Sequence, residues 1–563
     1  MMSFNMLRKQ LALPRTSWQL CLLAIIGGAA SAFLIIAFML TIEALQQLYL
    51  HYRNDYISFI SLSRFDLPIF ATLIILALAW FTGYQYVRTG IPFVLYHLKK
   101  SNGVLPFKNT FNQFMGSALS ISSGFSVGRE GPAVHLGAAV SSYLGSKLNL
   151  PFNSIRTLCA CGIAAGISAS FNTPIAAVIF VMEVILREYK VHIFIPVMLA
   201  SIVGSLITQG FFGQAHELEY FDKVQLTTLH YPSIIILGIV LGILAFIFNR
   251  YLLIIIKHSA HIHIIPRLLL AAFITGGFSY FIPYDIGTEV SAISFSITEN
   301  VGFLLLAGLL AAKVIMTISA LGLGIPGGIV GPILGIGAIA GACAASVASQ
   351  FFPGDFIAAD YALMGMAGFM AATLNAPLAA LLAVVEMSNQ IEIIIPAMVA
   401  IASACISSGQ FFKNRSIFVM QLELQKLSYR KTPIERSLQG IGVIGVMQEN
   451  FTLVSSTNVD AILPQMLANE EPPNHYPLVI EKLNEANFVW HEKLSQDQDK
   501  GVKTATHHLI ALSYQSTLAE AYSLMAEQRC GAVYIFQKER DNLIGLISFE
   551  QIRRYLLEGK TSL

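Results

Sequence analysis

Charge is what this sequence has least of. Asp, Glu, Lys and Arg make up 12% of its 563 residues, about half the roughly 25% of a soluble globular chain. That excludes an ordinary soluble domain over most of the length. The net charge of +2 says nothing about nucleic acid, but no basic stripe interleaved with aromatics appears, so no nucleic-acid partner is expected. Cysteine is also sparse. Cys21, Cys159, Cys161, Cys343, Cys405 and Cys530 form no paired metal-ligand spacing, and most lie in apolar runs, so they read as small core residues. No hydrolytic or redox constellation appears, so the chain does not read as an enzyme. What is abundant is apolar. The composition is 55% hydrophobic and the mean hydropathy is +0.64, which puts most of the chain in lipid.

Apolar segments recur at 19–48, 69–87, 133–146, 155–187, 192–212, 232–257, 266–282, 301–320, 329–350, 361–388 and 392–411. Many are broken by Gly and Pro, and some are shorter than the roughly 20 residues of a full span. Broken helices are tolerated at membrane depth where they line a cavity or lie within protein. Arg8, Lys9 and Arg15 precede the first run, which is long enough to span rather than to be a cleaved signal. They set the N-terminus on the cytoplasmic side, and Lys99 and Lys100 form a second such cluster.

Inside this apolar sequence stands Gly128-Arg129-Glu130-Gly131-Pro132. Ionisable residues at membrane depth are costly and mark function by default. Pro132 suits the first turn of a helix. The N–H groups and positive dipole end of such a helix suit an anion. Glu130 is itself an anion at that mouth. It is expected to occupy an anion site and to leave when protonated or displaced.

The pattern repeats. Asn172-Thr173-Pro174, with two alanines and then Glu183 nine residues after the proline, matches Asn375-Ala376-Pro377, with two alanines and then Glu386. Gly128-Arg129-Glu130-Gly131-Pro132 matches Gly328-Ile329-Val330-Gly331-Pro332. The offsets, 203 and 200, nearly agree. Interrupted segments in corresponding places of two halves point to a transporter-type binding site. Span counting alone leaves open whether the halves are inverted or parallel.

After about residue 422 polar residues dominate. Leu509 to Leu556 reads as strand, helix, strand, strand, helix, with strands at 509–512, 532–536 and 543–548 and a helix at 518–526. Residues 484–506 read as a polar loop. The expected domains are a membrane domain, 1–422, and a small α/β domain, 423–563.

Four segments are candidates for one anion site. They are Arg88-Thr89-Gly90-Ile91-Pro92, the turn around Glu130, Gly327-Gly328-Ile329-Val330-Gly331-Pro332, and the polar break at Ser416-Ile417-Phe418. Backbone donors bind an anion without a full opposing charge that would trap it.

These motifs resemble those of the CLC chloride channels and transporters, over roughly residues 20–420. Gly-Arg-Glu-Gly-Pro is that family's signature. The resemblance implies an all-α polytopic membrane protein of two inverted repeats whose broken helices meet at a central anion site. It also implies a homodimer with one chloride pathway per subunit. Glu130 matches the gating glutamate. Thr89 matches the central serine, with Gly90 and Ile91 in the same segment. Arg129, Gly131 and Gly328 belong to the matching motifs, and Ile329 and Val330 match the pair whose N–H groups face chloride. Arg88 departs from the family's usual glycine. Val330 replaces a common phenylalanine, and Phe418 replaces the central tyrosine, so one hydroxyl donor is missing. Val184 stands where exchangers usually carry an inner proton-passing glutamate and channels commonly carry valine.

Passive, pH- and voltage-sensitive chloride conduction is therefore expected. The alternative is H+/Cl− exchange by an unconventional inner route, with Glu183 as its candidate relay. Glu183 and Glu386 otherwise read as buried, hydrogen-bonded groups, and so does His135, one turn past the signature. A nucleotide sensor on a transport-dead anchor is a third, weaker reading. The tail resembles a degenerate CBS pair, with Ser548 as a candidate nucleotide contact and Gln551 where nucleotide-binding copies carry Asp. Adenine nucleotide is thus a weak expectation, and no other cofactor or metal is expected. The membrane is expected to be a bacterial inner membrane with both termini cytoplasmic.

Overall fold

The computed structural model describes residues 2–54, 60–82, 90–213, 226, 228–281, 302–351, 358–427, 432–455, 478–484, 487–497 and 501–558. In chain order the helices begin with α1 (Met2–Ala12), α2 (Trp18–Asn54), α3 (Ile60–Phe81), α4 (Ile91–Lys100), α5 (Phe107–Ser122) and α6 (Glu130–Lys147). There follow α7 (Phe152–Phe171), α8 (Pro174–Leu186), α9 (Val191–Phe212), α10 (Tyr231–Ser259), α11 (Ile264–Phe281) and α12 (Phe303–Leu323). Then come α13 (Val330–Ala348), α14 (Ala358–Leu374), α15 (Pro377–Ser388), α16 (Ile391–Phe411) and α17 (Ile417–Leu424). Nine of the described helices are long and apolar enough to cross a membrane, and α8, α14 and α15 are shorter apolar helices. This is an integral membrane protein. The chain forms two compact units, one of Cys21–Leu144 and Arg156–Tyr429, the other of Met1–Leu20, Gly145–Ile155 and Arg430–Leu563.

The larger unit is built twice. Each half closes a helix with an Asn-x-Pro break. Asn172 after α7 and Asn375 after α14 both take φ 55°. Asn tolerates this left-handed conformation, which ends a helix. The proline two residues on has its φ preset for a new first turn, and α8 and α15 start there.

The new helices are capped across the halves. The Glu183 carboxylate, on α8, accepts the N–H groups of Leu378 (3.3 Å) and Ala379 (2.7 Å) at the start of α15. The Glu386 carboxylate, on α15, accepts those of Ile175 (2.9 Å) and Ala176 (2.6 Å) at the start of α8. Each acid satisfies the orphan donors and the positive dipole end of the other's helix. The reciprocity defines an approximate two-fold relation, and the same relation holds where Gly128 and Gly328 form an antiparallel bridge. This is the inverted pairing of two repeats. One difference breaks the symmetry. α8 ends at a left-handed Arg187, thirteen residues after Pro174, whereas Asn389 stands twelve after Pro377. The additional residue falls in a π-helical stretch, Val181–Leu186, that carries Glu183 and Val184.

Glycines set the helix crossings in both halves. A Cβ on Gly137 of α6 would run into the Gly162 carbonyl of α7, and one on Gly365 of α14 into the Gly337 carbonyl of α13. The two crossings use corresponding glycines, and their backbones touch because no side chain intervenes.

In the smaller unit α1 is tied to the tail. The Asn153 amide donates to the carbonyls of Leu11 (3.0 Å), Ala12 (3.1 Å) and Gly440 (3.3 Å), and the Gly442 N–H to that of Ala12 (2.8 Å). Strands β1 (Phe451–Ser455), β2 (Leu478–Asn484), β3 (Asn487–Asp497) and β4 (Gly501–His508) form one sheet in that order. Strands β5 (Ile510–Ser513), β6 (Ala532–Phe536) and β7 (Leu543–Ser548) form a second. β5 and β6 run parallel and β7 antiparallel to β6. The helices here are α18 (Pro433–Leu438), α19 (Leu518–Met525) and α20 (Phe549–Glu558). Ile535, Ile547, Leu518 and Ile552 share a core with Ile441 and Val443.

The strand-helix-strand-strand-helix reading of the tail matches β5, α19, β6, β7 and α20. The loop expected over 484–506 is corrected, because β3 and β4 pair there as a long hairpin. Polar pairs that hydropathy does not register tie the strands together: His507 of β4 with Glu492 of β3 (2.9 Å), and His491 of β3 with Glu481 of β2 (3.0 Å).

Two outcomes follow from this construction. Gly365→Ala should lower the thermal midpoint of the purified protein, equivalent to about 1–3 kcal/mol from overpacking. Gly308→Ala, at a position with open space, should not, and equal midpoints for the two would contradict the crossing. Glu183→Ala and Glu386→Ala should destabilise by similar amounts, about 1–3 kcal/mol for the stranded N–H groups. A thermal melt in which only one of them matters would contradict the reciprocal capping.

Candidate functional site

The Gly128 N–H donates to the Gly328 carbonyl at 2.8 Å, and the Gly328 N–H returns the bond to Gly128 at 2.7 Å. This pair brings the starts of α6 and α13 together. Neither glycine has room for a side chain. A Cβ on Gly328 would lie 2.5 Å from the Gly131 nitrogen and 2.9 Å from Glu130 Oε2. The Glu130 carboxylate therefore folds back over the glycine pair, and its residue is 4% exposed.

A cavity of about 70 Å³ lies beside this pair. Its wall includes Ile91 and Pro92 from α4, Gly131 from α6, Gly328 and Ile329 at the start of α13, and Phe418 from α17. Segments that are far apart in sequence thus meet at one place. Gly90, before α4, takes φ 88° and ψ −154°, a conformation that only glycine adopts at ease. It aims the start of α4 without a side-chain cap. The N-cap residues Ile329 of α13 and Ser416 of α17 also make no side-chain cap bond. Some other helix starts are closed by side chains. Opposing glutamates cap α8 and α15, and the Thr432–Glu435 and Thr517–Glu520 boxes close α18 and α19. Three uncapped helix starts around one cavity form a concentration of backbone N–H donors, chemistry that suits a small anion.

A second cavity, about 40 Å³, lies on the other side of Glu130. Glu130 and Val330 line it with Phe171, Phe180, Met370 and Met387, an almost wholly apolar wall. An ionised carboxylate is costly in such surroundings and a protonated one far less so. Arg129 does not line either cavity; its guanidinium lies 4.6 Å over the Phe171 ring.

Of the residues singled out in the sequence, Ile91, Gly131, Gly328, Ile329 and Phe418 line the first cavity and Glu130 and Val330 the second. Thr89 and Arg88 lie outside the described residues. Val184 is 3% exposed within the π-helical stretch of α8, and neighbouring Glu183 has both carboxylate oxygens on the start of α15. His135 is fully buried and stacks on Phe93 at 5.1 Å. Ser548, in the smaller unit, is engaged with its helix. Its hydroxyl accepts the Gln551 N–H at 3.2 Å, and the Gln551 side-chain carbonyl accepts the Ser548 N–H at 3.0 Å. That Gln is a capping partner for α20. The sequence reading missed Gln421 and Gln425, which line the first cavity. Their spacing from Phe418, three and seven residues, is a helical face that could have flagged them.

The described fold is similar to several solved structures. A slow cyanobacterial Cl−/H+ antiporter matches with a TM-score of 0.66 at 23% identity, over 72% of this chain and 98% of the other. A eukaryotic CLC transporter matches with a TM-score of 0.61 at 20% identity, over 95% and 98%. A CLC-type fluoride/proton antiporter matches with a TM-score of 0.58 at 21% identity, over 72% and 97%. At these identities the likeness establishes the fold. In sequence, the CBS domain family matches residues 502–558, and the family described as voltage gated chloride channel matches residues 70–409. That second match spans more than half of the chain, which belongs to the voltage gated chloride channel (CLC) family.

Proposed function

We propose that this protein conducts chloride passively along a path through the first cavity, with Glu130 as its gate. The observation that carries the reading is the convergence of three uncapped helix starts on one cavity, with a buried carboxylate folded over its edge. Chloride binds to backbone N–H groups, including those of Ile91, Ile329 and Val330, and to the hydroxyl of Thr89. No full positive charge is needed there, so binding stays weak enough for release. Ionised Glu130 competes with chloride for the same donors. Protonated, it loses that competition and fits the apolar cavity lined by Phe171 and Met370. The path then opens, so flux rises as pH falls.

Passive conduction is supported by Val184, which carries no proton, and by the use of both Glu183 oxygens as a helix cap. Glu183 is thereby a structural acid rather than a relay. The engaged Ser548 and Gln551 support a tail that stabilises the protein without adenine nucleotide. The family resemblance supports a homodimer, and Arg8, Lys9 and Arg15 support cytoplasmic termini in a bacterial inner membrane. Coupled H+/Cl− exchange is the second reading, favoured by the likeness to a Cl−/H+ antiporter and to a fluoride/proton antiporter.

The test is chloride flux from liposomes containing Glu130→Gln. The variant should conduct at all pH values, at or above the acid-stimulated rate of the parent, with little pH dependence. A correctly folded variant that is silent, or that keeps the parent's pH profile, would overturn Glu130 as the gate.

A further inference from the structure

The first cavity has a polar wall that neither the backbone donors nor Glu130 account for. Phe418 is buried, at 2% exposure. Along the same face of α17, Gln421 and then Gln425 line the cavity as the helix runs out toward exposed Lys426. Among the described residues neither side-chain amide has a hydrogen-bond partner. Each therefore has two N–H donors to offer to whatever enters.

The charges around this wall favour an anion. Glu423, the acid on α17, is held by both terminal nitrogens of Arg415, at 3.0 and 2.5 Å. Its negative charge is thereby offset. On the facing wall Gly324 is backed by Arg267. A Cβ on that glycine would lie 3.2 Å from Nη2 of Arg267, whose Nη1 donates to the Ser259 carbonyl at 3.3 Å. A fixed cation thus stands behind a wall whose facing donors are neutral amides. Neutral amides hold a halide weakly, which suits a site that must fill and empty.

We propose that Gln421 and Gln425 form an anion-receiving step on the path. They donate side-chain N–H groups to chloride in place of the hydroxyl that Phe418 lacks, and so set the chloride concentration at which the path fills. The inference rests on the chloride-path reading and adds to it two specificity-determining residues.

The test uses the full-length protein and the double variant Gln421→Leu/Gln425→Leu, with Gln421→Glu as a second probe. Chloride dependence of flux is measured in liposomes, and equilibrium chloride binding by calorimetry on the same preparations. The double variant should raise both the half-saturating concentration and the dissociation constant by about three- to tenfold, as expected for a lost hydrogen-bonding interaction. The pH profile should stay that of the parent, because Glu130 is untouched. Gln421→Glu should weaken binding further. The amides make no internal bonds, so thermal midpoints should not move.

Unchanged affinity and unchanged half-saturation in the double variant would overturn the amide step and leave the conduction reading standing. Weakened chloride binding in a protein whose parent passes no chloride would uphold the amide step and overturn conduction.

Discussion

Two glycine backbones hydrogen-bond to each other, Gly128 to Gly328 and back, and the site depends on that closeness. The pair holds the starts of α6 and α13 nose to nose, which no pair of residues with side chains could do. The Glu130 carboxylate lies across the junction. The pair also sets Ile329 and Gly131 on one cavity and Val330 and Glu130 on another. The carboxylate stands between a wall of N–H donors and a wall of methionine and phenylalanine. In the proposed gating, its protonation state decides which of the two it fits.

Helix starts in the larger unit differ in how their donors are met. Dipole ends within a membrane protein need partners. At α8 and α15 the protein provides them from within, each half giving a glutamate to the other. At α4, α13 and α17 it provides no side-chain cap. These three open ends meet at the cavity. The same difference accounts for Glu183 and Val184 standing side by side. One is committed to capping, and the other has no proton to give.

Much of this was legible in the sequence because it rests on residues with narrow physical uses. Asn-x-Pro followed by Glu at a fixed distance, found twice, announced the duplicated helix break. Gly128 to Pro132 and Gly328 to Pro332 announced the two helix starts that meet. The exchange of Glu183 and Glu386 between halves was not legible, because sequence shows that the acids correspond but not that each reaches across. The tie between α1 and the tail runs through Asn153, far from both in sequence. The β3–β4 hairpin was read as a loop because its apolar residues are scattered among many polar ones, without the unbroken apolar run of a buried strand. The Gln421 and Gln425 amides passed unnoticed since a neutral polar residue late in a short helix usually faces solvent.

The central claim is a chloride path with no inner proton acceptor at Val184. The most direct measurement is chloride efflux from liposomes containing the wild-type protein, with external pH recorded at the same time. The account requires fast efflux once valinomycin is added, with no accompanying proton movement. Proton uptake in a fixed ratio to chloride efflux would contradict it.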